Sequence, residues 1–285
     1  MKLAFLAGYR GQNFAGSQYQ PDKRTVEGEF VTGGIELGLF ADAKEAHFRT
    51  AGRTDKGVSA RRQLFSITTD KPELAVEALN FHLPDDIWCL GAAEVDDEFY
   101  PRYAARERSY RYYFPYPADV SRMQDAGSRL VGTHNFCGFA KIEAGRDPVR
   151  TVTRAAVFEG ADGCPVFEVA AKSFLWNMVR GMAGALQTVG LGLGLAVPDV
   201  IDELLTAPTA RVHPAPAEGL VFWDVVCDLS FTPMRQKREV KRSLARDAVC
   251  ARADMHTAEA LLEDDPEDFW KKKVIREYSA LMKKR

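Results

Sequence analysis

Apolar positions along this chain fall into short runs whose period changes from segment to segment. Leu3 to Ala7 is a compact apolar stretch closed by Gly8-Tyr9-Arg10-Gly11, and residues 2–9 are expected to form a short strand. A polar, Gly-containing loop follows. Thr25 is placed to cap a helix over Val26–Phe40, weakened by Gly28, Gly33, Gly34 and Gly38. Gln63–Thr69 reads as a strand with Leu64, Phe65 and Ile67 apolar, residues 73–81 as a helix, and 87–96 as extended chain. Strands alternating with helices in this way describe an α+β unit.

A second cycle begins near Arg108. Tyr110, Tyr112 and Phe114 alternate with Arg111 and Tyr113, the period of a strand with an aromatic face, and Pro115 and Pro117 end it. Residues 149–158 and 165–171 read as a hairpin turning at Gly160-Ala161-Asp162-Gly163. Ser173 is placed to cap a helix running to about Val189, with Gly190 just past its end. Residues 219–230 form a last strand. The pattern predicts an α+β protein of two related subdomains, with mainly antiparallel sheets flanked by helices and an active-site cleft between them. The segments are 1–105 (N-terminal subdomain, carrying Asp55), 106–232 (C-terminal subdomain) and 233–285, a charged helical extension that starts basic, turns acidic and ends basic.

Composition narrows the class. In 285 residues, 46% hydrophobic and 27% charged content suit a globular protein that buries its own core. Five dispersed cysteines without a C-x-x-C pair argue against a disulfide framework or a structural zinc site, and for a reducing, cytoplasmic setting. The histidines lack metal-ligand spacing, so no metal is expected. The longest apolar run, Phe174 to Val197, is interrupted by Arg180 and Gln187, which excludes a membrane span. The formal net charge of −2 does not announce a nucleic-acid binder. Its distribution does more: residues 102–111 carry four arginines against Glu107, and 235–246 carry six basic residues against Glu239. Such stripes suit a phosphate backbone, although a solvated surface explains them equally on charge alone.

Three places carry candidate chemistry. The segment SFLWNMVRGMAGALQTV (173–189) is apolar nearly all round, so it should be buried, with small residues that let another element approach closely. Its single charge, Arg180, requires an anionic partner unless its long stem reaches water. In AGRTDKGVSA (51–60), Asp55 sits in a Gly-flanked turn between Arg53 and Lys56, two cations that would keep its carboxylate ionised. In RSYRYYF (108–114), Tyr110 is either strand packing or a stacking platform for a base with a phenol to spare.

The ordered motifs resemble those of the TruA-type tRNA pseudouridine synthases, the archaeal branch in particular. They are Y-R-G-x-x-F-x-G-x-Q-x-Q (Tyr9–Gln20), T-V-E-G (Thr25–Gly28), A-G-R-T-D-K-G-V-S-A (51–60), S-Y-R-Y (109–112), L-V-G-T-H-N-F (130–136), F-L-W-N-M-V-R (174–180) and A-P-A-E-G-L (215–220). Ser59 stands where bacterial members commonly carry His. The resemblance implies that Asp55 is the catalytic aspartate, Tyr110 stacks on the target base, Arg180 pairs with Asp55, and Arg53 helps extrude the nucleotide. It implies a homodimer that binds tRNA across both subunits and modifies uridines of the anticodon stem-loop, around positions 38 to 40. The isomerisation involves neither redox change nor hydrolysis, so no cofactor is expected, and neither DNA nor membrane is an expected partner.

Two rivals are less well served. A non-catalytic RNA-binding protein has no need of the R-T-D-K-G turn, and the strand RSYRYYF lacks the small residue of an RNP1-type pattern. A glycoside hydrolase usually needs two facing carboxylates, and the motifs supply only Asp55.

Overall fold

The computed structural model describes residues 1–192, 199–206, 211–261 and 272. The end of the long apolar run and most of the acidic and terminal basic stretches of the extension lie outside these residues. The chain forms two compact units: Met1–Arg108 with Val221–Arg252, and Ser109–Leu220 with the chain from Ala253.

The first unit opens with strand β1 (Lys2–Tyr9), helix α1 (Val26–Glu36), a two-residue strand β2 (Arg49–Thr50), strand β3 (Ser59–Thr68), helix α2 (Pro72–His82), strand β4 (Ile87–Val95) and the single turn α3 (Pro101–Ala104). β1 lies between β3 and β4, antiparallel to both, in registers that pair Phe5 with Phe65 and Ala4 with Ala93. Phe65 stacks on Phe5 (5.2 Å) and Phe48 (5.2 Å), with Phe30 of α1 tilted against it (4.1 Å), so one aromatic cluster holds the first helix to the sheet. Thr25 caps α1 as expected, its side chain accepting from the Gly28 amide. The helix ends at Glu36, four residues early, because Gly38 adopts φ +71° and its amide closes a tighter turn on Ile35.

The second unit takes in most of β5 (Glu107–Tyr113), then α4 (Val120–Ser128), β6 (Gly132–Asn135), β7 (Val149–Glu159), β8 (Pro165–Ala171), α5 (Met178–Gly190) and α6 (Asp199–Thr206). Strand order is β5-β8-β7-β6, and β7 pairs antiparallel with both β6 and β8. The hairpin is as expected, with Gly163 at φ +81° in its turn. Every residue of α5 except Arg180 is buried. Close approach is equally visible: a Cβ at Gly181 would lie 2.0 Å from the Phe139 carbonyl oxygen, and one at Gly184 would lie 2.2 Å from that of His213.

The start of α5 differs from expectation. Ser173 does not cap it. Residues 173–177 stay non-helical because the Trp176 backbone bridges Lys141, whose amide donates to the Trp176 carbonyl (2.9 Å) and whose ammonium covers the indole (4.2 Å). The helix begins after Asn177, which takes the left-handed conformation at φ 63°. Arg180 therefore sits in the first turn of a buried helix rather than at its middle. The far end also moves: Gly190 is the last helical residue, and Gly192 takes the left-handed position.

The chain then returns to the first unit through β9 (Leu220–Val226), which runs parallel to β3 with Val221 opposite Ser59, and β10 (Thr232–Pro233), which pairs with β4. That parallel pairing joins β9 to the first unit, whose strands run in the order β10-β4-β1-β3-β9. Helix α7 (Arg238–Leu261) follows. The fold is α+β with mostly antiparallel pairing. Among the described residues no helix is long and apolar enough to cross a membrane.

Candidate active site

The segment Ala51–Gly57 has no regular structure of its own, so its backbone groups must find partners elsewhere. They do so on four sides. Ala51 N–H donates to the Leu64 carbonyl (2.8 Å), and the Ala51 carbonyl accepts from Nε (3.0 Å) and Nη2 (2.7 Å) of buried Arg108. The Gly52 carbonyl accepts from Gln63 Nε2 (3.0 Å) and Thr50 Oγ1 (3.0 Å). Thr54 N–H donates to Ser17 Oγ (2.8 Å), and the Ser17 amide donates to the Thr54 carbonyl (3.0 Å). The Thr54 hydroxyl meets the Tyr9 hydroxyl at 2.9 Å. A turn closed by the Val58 amide on the Asp55 carbonyl (3.1 Å) follows, and Gly57 at φ +87° supplies the conformation a side chain would resist.

The outcome is an alternation. Thr54 is buried and clamped, while Arg53 and Lys56 are exposed and Asp55 is half-buried between them. Burial pushes the Tyr9 phenol up to about 12, against the opposing hydrogen bonds of Thr54 and Gln63, so this hydroxyl stays neutral and acts as a strut. Ser59, at the start of β3, accepts from the Gly11 amide (3.0 Å) and so ties the first loop to the same segment.

Arg180 is clamped just as specifically within the second unit. Its Nε donates to the Ala215 carbonyl (2.7 Å), its Nη1 to Asn177 Oδ1 (3.3 Å), and its own carbonyl accepts from the Ala215 amide (2.9 Å). The A-P-A-E-G-L segment thus has a mechanical meaning: Ala215 grips Arg180, and Gly219 lies so close to Tyr112 that a Cβ would approach its ring to 2.8 Å. Burial pushes the Tyr112 phenol well above its ordinary value, with the Arg180 charge opposing and Glu218 adding to the rise. Tyr110 is almost fully buried, with the edge of its ring against Phe174 (5.1 Å, 85°).

A family model described as "tRNA pseudouridine synthase" matches residues 126–228. A protein named tRNA pseudouridine synthase A from Methanocorpusculum labreanum is 90% identical over 99% of this chain and 100% of its own length. The chain belongs to the tRNA pseudouridine synthase A family. Other relatives of the same name are 51% identical over 82% of this chain and 86% of their own length (Methanoculleus marisnigri) and 45% identical over 79% and 84% (Thermococcus kodakarensis).

In this pseudouridine synthase the residues singled out from sequence fall into two groups. Arg53 and Asp55 belong to the first unit, Tyr110 and Arg180 to the second. The supporting residues escape sequence reading. Arg108 stands in a basic stripe suited to phosphates, yet it is buried, donating to the carbonyls of Ala51, Arg102 (2.6 Å) and Ala105 (3.2 Å). Arg106 pairs with Asp228 and Arg111 with Glu168 (2.7 Å), so that stripe is largely spent on the protein itself. Among the described residues no group of three or more His, Cys, Asp or Glu side chains is placed to hold a metal ion.

Proposed function

We propose that this chain isomerises uridine to pseudouridine in the anticodon stem-loop of tRNA, around positions 38 to 40, with Asp55 as its catalytic carboxylate. The observation that carries the residue assignment is the clamped turn: the backbone leading into Asp55 is fixed by buried partners at Ala51 and Thr54, while Asp55 itself is only half-buried between two exposed cations. A group meant to meet a reacting atom needs that combination of rigid support and access.

The reaction breaks the N1–C1′ bond, turns the uracil over and joins C5 to C1′. N1 ends with a proton and C5 loses one, so atoms balance without an oxidant, reductant or water. The carboxylate of Asp55 serves the electron-poor centre exposed as the first bond opens. Arg180, held by Ala215 and Asn177, is the cation assigned to pair with the Asp55 carboxylate. Arg53, exposed beside it, takes part in extruding the nucleotide, which must leave its stack before it reacts. Tyr110 is the residue assigned to stack on the turned-out base and is the candidate acceptor of the C5 proton. The enzyme acts as a cytoplasmic homodimer, with one tRNA touching both subunits.

Mapping pseudouridine in a tRNA transcript treated with the purified enzyme tests the reading. Modification at one or more of positions 38 to 40 is expected. Modification only elsewhere would overturn the target, and an unmodified transcript would overturn the activity.

A further inference from the structure

Helix α7 is held along one edge and left bare along the rest. Before it, the buried Met234 amide donates to the Leu90 carbonyl (3.0 Å), and the Arg235 carbonyl accepts from Asn80 Nδ2 (2.9 Å). The same buried Asn80 grips both backbone groups of Cys89. Lys237 donates to the Leu83 carbonyl (2.5 Å) and faces Asp85 (3.6 Å). Within the helix, Val240 is buried and Asp247 pairs with Arg10, the neighbour of the strut Tyr9. These anchors lie on one side, and they fix the helix to the unit that carries the Asp55 turn.

The other side is cationic. Arg238, Lys241, Arg242 and Arg246 are all exposed. Arg238, Arg242 and Arg246 stand four residues apart and so share a face. Of the four, only Arg242 approaches a carboxylate, Glu239 at 4.0 Å; the other three have no ion-pair partner among the described residues. Two ordinary helix rules are broken together. Like charges four residues apart repel, and three of these cations crowd the first five residues, where the helix dipole already presents positive charge. A merely solvated helix would gain by placing more acid there than the single Glu239. A sequence that keeps an unfavourable local arrangement on a specifically anchored element points to a ligand that relieves it.

We propose that this face of α7 binds the phosphate backbone of the RNA substrate, acting as a fixed rail that adds affinity by holding the RNA on the unit bearing Asp55. The proposal rests on the reading of tRNA as substrate. Charge complementarity selects the occupant: phosphates spaced along a strand match guanidinium groups repeated turn by turn, and Arg suits them through its forked donors.

The test is a full-length variant with R238Q, K241Q, R242Q and R246Q together. Its affinity for a tRNA transcript is measured from about 50 to 400 mM salt, beside thermal melting and single-turnover isomerisation at saturating RNA. The expected result is a salt slope smaller by about 2 to 4 units, and binding weaker by about 100-fold at the low-salt end. Melting temperature should be unchanged or raised, because the removed charges opposed the helix, and the saturated rate constant should match wild type. An unchanged affinity and slope would overturn the rail. So would a lowered melting temperature with lost helicity and an unchanged slope, which would make the cations structural. A wild-type protein that binds RNA with the expected slope but forms no pseudouridine would instead remove the proposed function and leave the rail standing.

Discussion

The turn at 51–57 and the helix α7 both display cations, and they are held in opposite ways. In the turn, backbone groups of Ala51, Gly52 and Thr54 meet buried or half-buried side chains from distant parts of the chain, so the point from which the Asp55 side chain springs is fixed. In α7, a few anchors fix one edge, the last of them the pair of Asp247 with Arg10, and beyond Asp247 every described side chain is exposed. The contrast fits the role proposed for each. Bond-making chemistry fails when a group drifts by an ångström, whereas attraction between charges tolerates several. Arg180 follows the pattern of the turn: one charged residue with three fixed contacts to Ala215 and Asn177.

The contrast can be broken from the rigid side first. Arg180→Met should lower the single-turnover rate constant by about 100-fold, the scale for losing one preorganised donor at a reacting centre, and should also lower thermal stability by freeing Ala215. Turnover and melting that both match wild type would contradict the assignment. Arg108→Met should cost on the order of 3 kcal/mol in denaturant unfolding, because the Ala51, Arg102 and Ala105 carbonyls lose a buried donor. Activity should fall with it as the turn loosens. Stability within about 0.5 kcal/mol of wild type, the scatter of surface changes, would refute this role for Arg108.

A smaller effect sharpens the electrostatic side. Asp86 accepts a forked pair of hydrogen bonds from Arg24 (2.7 and 2.8 Å) and its carbonyl accepts from the Arg10 amide (2.9 Å), so it secures the loop that supplies Ser17. Burial pushes its pKa up, but the hydrogen bonds from Arg24 and Asn13 and the Arg24 charge outweigh that and hold the carboxyl below its ordinary range. A depressed carboxylate contributes stability that is full above its unfolded pKa, near about 3.9, and lost as pH falls through its folded value. Asp86→Asn should therefore lower Tm by about 3 °C at neutral pH, with the gap closing below about pH 4. A gap that is constant with pH would show that the charge contributes nothing.

How much of this was legible depends on the distance over which each feature is decided. The Asp55 turn is local: Gly57 and the flanking cations are visible in five residues. The hairpin at 160–163 and the Thr25 cap are local as well. The start of α5 is not, because Ser173 is a favoured capping residue and still loses to a backbone bridge between Trp176 and Lys141. Arg108 shows the same limit. Beside Arg106 and Arg111 it looks like one more surface charge, and only the Ala51 carbonyl, 57 residues away, makes it a buried bolt. Ser17 and Tyr9 reach Thr54 across 37 and 45 residues, and no periodicity reports such contacts.

The central claim is that a single carboxylate, Asp55, performs the isomerisation. It is tested most directly by tritium release from tRNA labelled at uridine C5, comparing wild type with Asp55→Ala at equal RNA occupancy. The account predicts that the variant binds the RNA as wild type does and releases no tritium above buffer. Release at a rate near that of wild type would contradict it.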